Sequence, residues 1–174
     1  MSNLTDFRKA KDEFFKTSQN SPLLAAQQKD FPGISYYDED VTLRYRLDVK
    51  PFDVRNTATF ETSTGESIEY VSWGKVKFTV CDTMSELTLF KNNDGEGFFL
   101  PFADSTTGNE TYSGGRYLDV NVLANGQVLL DFNLAYNPYC AYNNQWSCPL
   151  TPSENHLTVP VRAGEKPPEQ QCLN

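Results

Sequence analysis

Residues 99–119 read FLPFADSTTGNETYSGGRYLD and concentrate polar chemistry in one stretch. Asp104, Thr106, Thr107, Glu110, Thr111, Tyr112, Arg116, Tyr117 and Asp119 are spaced by Gly108, Gly114 and Gly115. Glycines allow a backbone to approach a ligand closely. Arg116 is suited to clamp a carboxylate or phosphate through two parallel N–H bonds. Glu110 or Asp104 is suited to act as a general base, or the two to hold a metal with hydroxyl and water oxygens. We therefore expect Glu110, Arg116 and Asp104 as the catalytic candidates, with Thr107, Tyr112 and Tyr117 contacting a ligand. The competing reading is structural. Arg116 paired with these acids would pin the loop, because ion-pair networks show the same composition. Ser113-Gly114-Gly115 is not a phosphate loop, since no Lys-Ser/Thr follows it.

A second stretch, 131–155, reads DFNLAYNPYCAYNNQWSCPLTPSEN. Asp131 and Asn133 lie two apart near a strand end, so they share a side. With Asn137 and Cys140 they complete the expected ligand contacts. Cys140 and Cys148 admit three readings. One is a thiolate nucleophile at Cys140, with His156 as base. Another is a zinc site completed by His156, Cys172 or carboxylates, although the spacing fits no common module. The third is a pair of buried thiols, or an occasional disulfide. Our reading assigns no metal and leaves the cofactor unknown; no residue demands a flavin. Tyr112, Tyr117, Tyr136, Tyr139, Tyr142 and Trp146 crowd the same stretches and could wall a flat ligand or seal loops against a barrel mouth.

The elements that position these residues follow from periodicity. Residues 3–17 read as a helix with Phe7, Ala10, Phe14 and Phe15 on the apolar face. Ser21-Pro22 predicts a second helix start, ending by Asp30 before Phe31-Pro32-Gly33. The period then becomes two. Strands are expected at 41–49, 57–62, 67–71, 75–80, 86–90, 97–102, 117–123 and 127–132, with Asn92–Gly95 a turn and Asn125-Gly126 a hairpin. Residues 157–161 form one late candidate strand. Cys81 ends an apolar strand pattern and reads as core, and Cys172 lies in a frayed tail over 165–174. Tight turns favour antiparallel neighbours. The expected fold is mainly β: a bent antiparallel sheet closing as a barrel or sandwich, with two short N-terminal helices. It is one domain, comprising a helical segment 1–31, a β core 34–132 and an irregular segment 133–174.

Composition narrows the function. The chain has 174 residues, a formal charge of −8 and one histidine. The acidity argues against a nucleic-acid partner. No apolar run reaches the roughly 20 residues of a membrane span, and the N-terminus lacks a secretory pattern, so a cytoplasmic protein without a membrane partner is expected. An acidic face for a basic protein partner is permitted but not required.

FLPFADSTTGNETYSGGRYLDV, LDFNLAYNPYCAYN and CPLTPSENHLTVPVRAGEK together resemble the hallmark segments of a prokaryotic family, domain of unknown function 1684. FRKAKDEFFKTSQNSPL is similar to its opening helix. Asp104, Glu110, Arg116, Asp131, Asn133, Asn137, Cys140, Asn155 and Glu165 fall on matching positions; His156 does not. The resemblance brings no activity with it. The expectation is a polar small-molecule site formed by loop 102–119 and segment 131–155, binding a polar or anionic ligand and suited to hydrolytic or other acid/base chemistry. The alternative is a non-enzymatic domain in which the same motifs form an internal hydrogen-bonded lock.

Overall fold

The computed structural model describes residues 3–91 and 97–169. Helix α1 (Leu4–Thr17) is followed by the short α2 (Ala25–Lys29). Eight strands follow: β1 (Arg44–Leu47), β2 (Lys50–Pro51), β3 (Thr57–Glu61), β4 (Ser67–Val80), β5 (Thr83–Lys91), β6 (Phe98–Phe102), β7 (Arg116–Val122) and β8 (Val128–Asp131). They form one sheet in the order β1-β8-β7-β6-β5-β4-β2, with β3 also on β4. Every strand pair is antiparallel. The sheet curls into a half-barrel. Tyr45 on β1 crosses the opening, donating its hydroxyl to Thr79 O at 2.9 Å and packing on Phe78.

The main core lies inside the curl. Val76, Phe78, Leu87, Leu89, Leu100, Phe102, Leu118, Val120, Val128 and Leu130 point into it at alternate strand positions, as period two requires. Residues 67–71 and 75–80 are one strand rather than two. A bulge between Ser72 and Gly74 bends it, and bulges sharpen local twist. Glycine is needed there because a Cβ at position 74 would lie 2.5 Å from Lys50 O on crossing β2.

Several expectations are corrected. Cys81 is not core: with Asp82 it forms the exposed turn joining β4 to β5, at φ 47° and 56°. A two-residue hairpin whose twist matches its strands needs positive φ at both positions. The buried face of α1 is not the aromatic one. Phe15 is buried, but Phe7 and Phe14 are 44% and 37% exposed, and Arg8, Lys11 and Asp12 face the body instead. Arg8 donates to Tyr37 O, Lys11 to Glu165, and Asp12 accepts from Ile34 N. Ser21 does not start α2. Its hydroxyl donates to Phe15 O and accepts from Leu23 N, so the helix opens later, where the Gln27 side chain accepts from Leu24 N at 2.7 Å. Val41–Leu43 is a 3-10 turn ahead of β1, not strand. Residues 157–161 form no strand; residue 156 makes a single parallel bridge to Ala103. Glu165, placed in a frayed tail, is 1% exposed. The Asn92–Gly95 turn and Cys172 lie outside the described residues.

Phe15 packs with Leu23, Phe31, Ala141 and Tyr142 in a second core. A third, of Phe60, Tyr70 and Phe90 with Phe99 against it, sits on the outer sheet face.

Candidate functional site

Strand parity divides the polar loop into two environments. Arg116, Leu118 and Val120 face inward; Tyr117 and Asp119 face outward. Arg116 is therefore a guanidinium at the rim of the core, 1% exposed. A buried charge requires partners, and four oxygens supply them. Nη2 donates to Asp104 Oδ2 at 2.9 Å and Val161 O at 2.8 Å. Nη1 donates to Ala163 O and to Glu165 O, the latter at 3.3 Å. Burial lowers the Arg116 proton affinity, and the Asp104 charge opposes that shift. Asp104 Oδ1 accepts from Thr106 N (2.8 Å), Thr106 Oγ1 (2.6 Å) and Val161 N (3.3 Å). Thr107 Oγ1 accepts from Asp104 N at 3.0 Å. The positive φ of 83° at Gly115 brings the loop back against Phe102 O, which a Cβ would approach to 2.8 Å.

Glu110 stands apart from this pair. It is at the surface, held by Arg162 Nη2 and Nε at 2.6 and 2.7 Å and by the Tyr37 hydroxyl at 3.3 Å. The hydrogen bond from Arg162 keeps its carboxyl below the ordinary range.

The second stretch forms further knots. Asp131 Oδ2 accepts from Arg44 Nε at 2.6 Å, directly across the β1–β8 register. Asp131 Oδ1 accepts from Asn133 N and Nδ2. Asn133 in turn holds Asp40 N and O, both at 2.8 Å. Asn137 N donates to Glu165 Oε2 at 2.8 Å, and its Nδ2 donates to Lys166 O. Asn155, fully buried, was absent from the expected contacts. Its Oδ1 accepts from Thr88 N, while Nδ2 donates to Thr88 O and Pro101 O. Pro101 has no N–H for a ladder, so this carboxamide stands in for backbone between β5 and β6.

On the outer face a cleft of about 460 Å³ opens. Tyr70, Phe99, Tyr117 and Asp119 form its floor; Phe7 and Lys11 of α1 form one wall, and Tyr136, Tyr139, Trp146 and Cys148 the other. The Tyr136 hydroxyl donates to Asp119 at 3.1 Å, and Tyr117 donates to Pro149 O. Burial raises the pKa of both phenols, so they remain neutral donors. Lys11 Nζ lies 4.8 Å from the Tyr136 ring and pairs with Glu165 at 2.5 Å. Asp119 forms no salt bridge among the described residues.

The structure thus joins Asp104, Thr107 and Arg116 in one cluster and Asp131 with Asn133 in another, and leaves Glu110 outside both. Tyr112 meets Cys140, its Oη 3.9 Å from Sγ. Of the aromatic residues singled out, Tyr117, Tyr136, Tyr139 and Trp146 line the cleft. Lys11, Tyr70 and Phe99 were missed there. Tyr70 and Phe99 carried a signal, since each sits on the outward parity of its strand. His156 is exposed, its ring near Thr151 O. Among the described residues no three His, Cys, Asp or Glu side chains gather as a metal site.

A curled antiparallel half-barrel, tied at its rim by a buried Arg–Asp pair and flanked on its outer side by an N-terminal helix, defines the class of protein. The model of the family described as protein of unknown function (DUF1684) matches residues 29–166, and the chain belongs to that family. It is similar to the solution NMR structure of the uncharacterized protein from gene locus rrnAC0354 of Haloarcula marismortui. The identity is 36%, the TM-score 0.72, and the match covers 94% of this chain and 91% of the other. No match was found among curated proteins. No helix among the described residues is long and apolar enough to cross a membrane.

Proposed function

We propose that this protein binds a small, flat ring compound in the outer cleft, between strand β7 and segment 136–149. The observation that carries the reading is convergence. Aromatic rings from five separate chain segments meet around one hollow, beside an exposed carboxylate without a salt-bridge partner among the described residues, Asp119. Binding sites combine apolar and aromatic walls with a few placed polar groups, and an aromatic cleft left open to water is otherwise costly. Asp119 and the Tyr136 hydroxyl provide the orienting polar contacts.

Asp104 and Arg116 act here as the lock behind the cleft. Both terminal nitrogens of Arg116 are engaged by protein oxygens, which favours holding over reacting. An acid role for Glu110 would require a proton that the adjoining Arg162 disfavours. The reading therefore rests on binding, and hydrolysis has no support from these three side chains.

The test is quenching of Trp146 emission in a Trp73→Phe chain, with thermal shift of the unaltered chain, across purine, pteridine, isoalloxazine and phenolic compounds. At least one class should bind, and Asp119→Asn should weaken it roughly 10- to 150-fold, the range of one charge-assisted hydrogen bond, without changing the melting temperature. If no class perturbs either signal, the reading fails.

A further inference from the structure

The geometry points to Cys140 and Cys148 as a reactive dithiol in the cleft wall, which a hydroperoxide converts to a disulfide. This goes beyond the binding proposal and stands whether or not the cleft holds a ligand.

Two sets of contacts bring the thiols together. The Cys140 backbone N–H donates to Cys148 Sγ at 3.3 Å, placing that sulfur against the start of residue 140. Cys140 Sγ lies 3.9 Å from the Tyr112 hydroxyl, and the Ser63 hydroxyl accepts from Cys148 N at 3.1 Å, holding residue 148 in place beside it. Both cysteines are free, Cys140 half-buried and Cys148 buried. Cys140, the attacking sulfur, is itself part-exposed and Cys148 lines the open cleft beside it, which gives a small oxidant a route to the pair. The surroundings also suit ionisation of one sulfur. Hydrogen bonds, first from Cys148 and then from Tyr112 and Ser63, bring Cys140 down to about 6, while Cys148 is raised. A thiolate beside a protonated thiol is the arrangement for attack followed by resolution.

The Cys140 thiolate attacks one peroxide oxygen. An S–O bond forms, the O–O bond breaks, and the leaving alkoxide or hydroxide takes a proton. Cys140 is thereby oxidised to a sulfenic acid and the peroxide reduced. Cys148 sulfur then attacks Cys140 sulfur and gives up its proton as the S–O bond breaks and water leaves. In sum, two thiols and one hydroperoxide give one disulfide, one alcohol (or water) and one water. The bridge closes a loop that carries Trp146, so oxidation reshapes the wall formed by Tyr139 and Trp146, whose rings lie 5.1 Å apart.

The experiment uses the full chain with Cys81→Ser and Cys172→Ser, alongside the unaltered chain. Iodoacetamide alkylation is followed against pH with N-acetylcysteine as reference. The rate should rise through a midpoint near 6. At about pH 6 it should exceed the reference by roughly tenfold, since a roughly 150-fold gain in thiolate is offset by about 10- to 18-fold lower intrinsic nucleophilicity. Hydrogen peroxide should then yield an intrachain Cys140–Cys148 disulfide by peptide mass mapping. A midpoint in the ordinary thiol range, an interchain bridge, or oxidation to sulfinic acid without a bridge would each overturn the proposal.

Discussion

Replacing Arg116 by Met tests whether the buried pair is a lock. The substitution leaves the Asp104 carboxylate, whose side chain is fully buried, without its counter-charge. It also strips a donor from the carbonyls of Val161, Ala163 and Glu165. Removing one partner of a buried ion pair costs about 3–5 kcal/mol. For a chain of this length about 1 kcal/mol shifts the melting temperature by roughly 2–4 °C, so a fall on the order of 6–20 °C is expected. Urea melts should show a lower midpoint at unchanged slope, as for lost stability without lost compactness. The double variant Arg116→Met/Asp104→Asn removes the stranded charge while keeping an acceptor for Thr106 and Val161. It should recover about 1–3 kcal/mol in a double-mutant cycle. A drop below about 1 kcal/mol for Arg116→Met, or strict additivity in the cycle, would refute the lock.

The depressed Glu110 pKa gives a pH dependence with a definite sign. Its folded value lies below its unfolded value, so the Arg162 contact stabilises the fold at neutral pH and is lost as pH falls through the folded value; carboxyl NMR titration should place its midpoint below 4.5, and a midpoint at or above 4.5 would count against the contact. The Cys81-Asp82 turn holds two non-glycine residues at positive φ. Cys81→Asn with Asp82→Gly should therefore raise stability by about 0.5–1 kcal/mol in urea melts, and a loss would mean the turn is held by other contacts.

Much of the fold was legible because alternation and turn chemistry are local. The hairpin at Asn125-Gly126, the antiparallel order and the span of α1 all follow from spacing alone. The face of α1 was not legible in the same way. Phe7 and Phe14 look like core residues, yet Arg8, Lys11 and Asp12 face the body because their partners arrive from residues 34–37 and 165. The candidate site illustrates both sides. Parity along β7 already separates Arg116 from Tyr117 and Asp119, so the division into lock and cleft was present in the sequence, although the density of polar residues invited reading them as one pocket. Asn155 was harder. Its role depends on β5 and β6 diverging beside Pro101, a tertiary fact that spacing does not encode.

That carboxamide has a consequence for how the molecule assembles. Among the described residues the β5–β6 ladder holds a single registered pair, Phe90 with Phe99, and Asn155 spans the gap beyond it. Beyond that pair, the join between the two halves of the sheet is completed by a stretch made late in the chain. On a ribosome the strands up to β8 emerge before their seam has its fastener, and non-local closure of this kind is slow. The seam between β5 and β6 is therefore completed only by residues late in the chain, and until they arrive the free groups of β5 at Thr88 are open to mispairing.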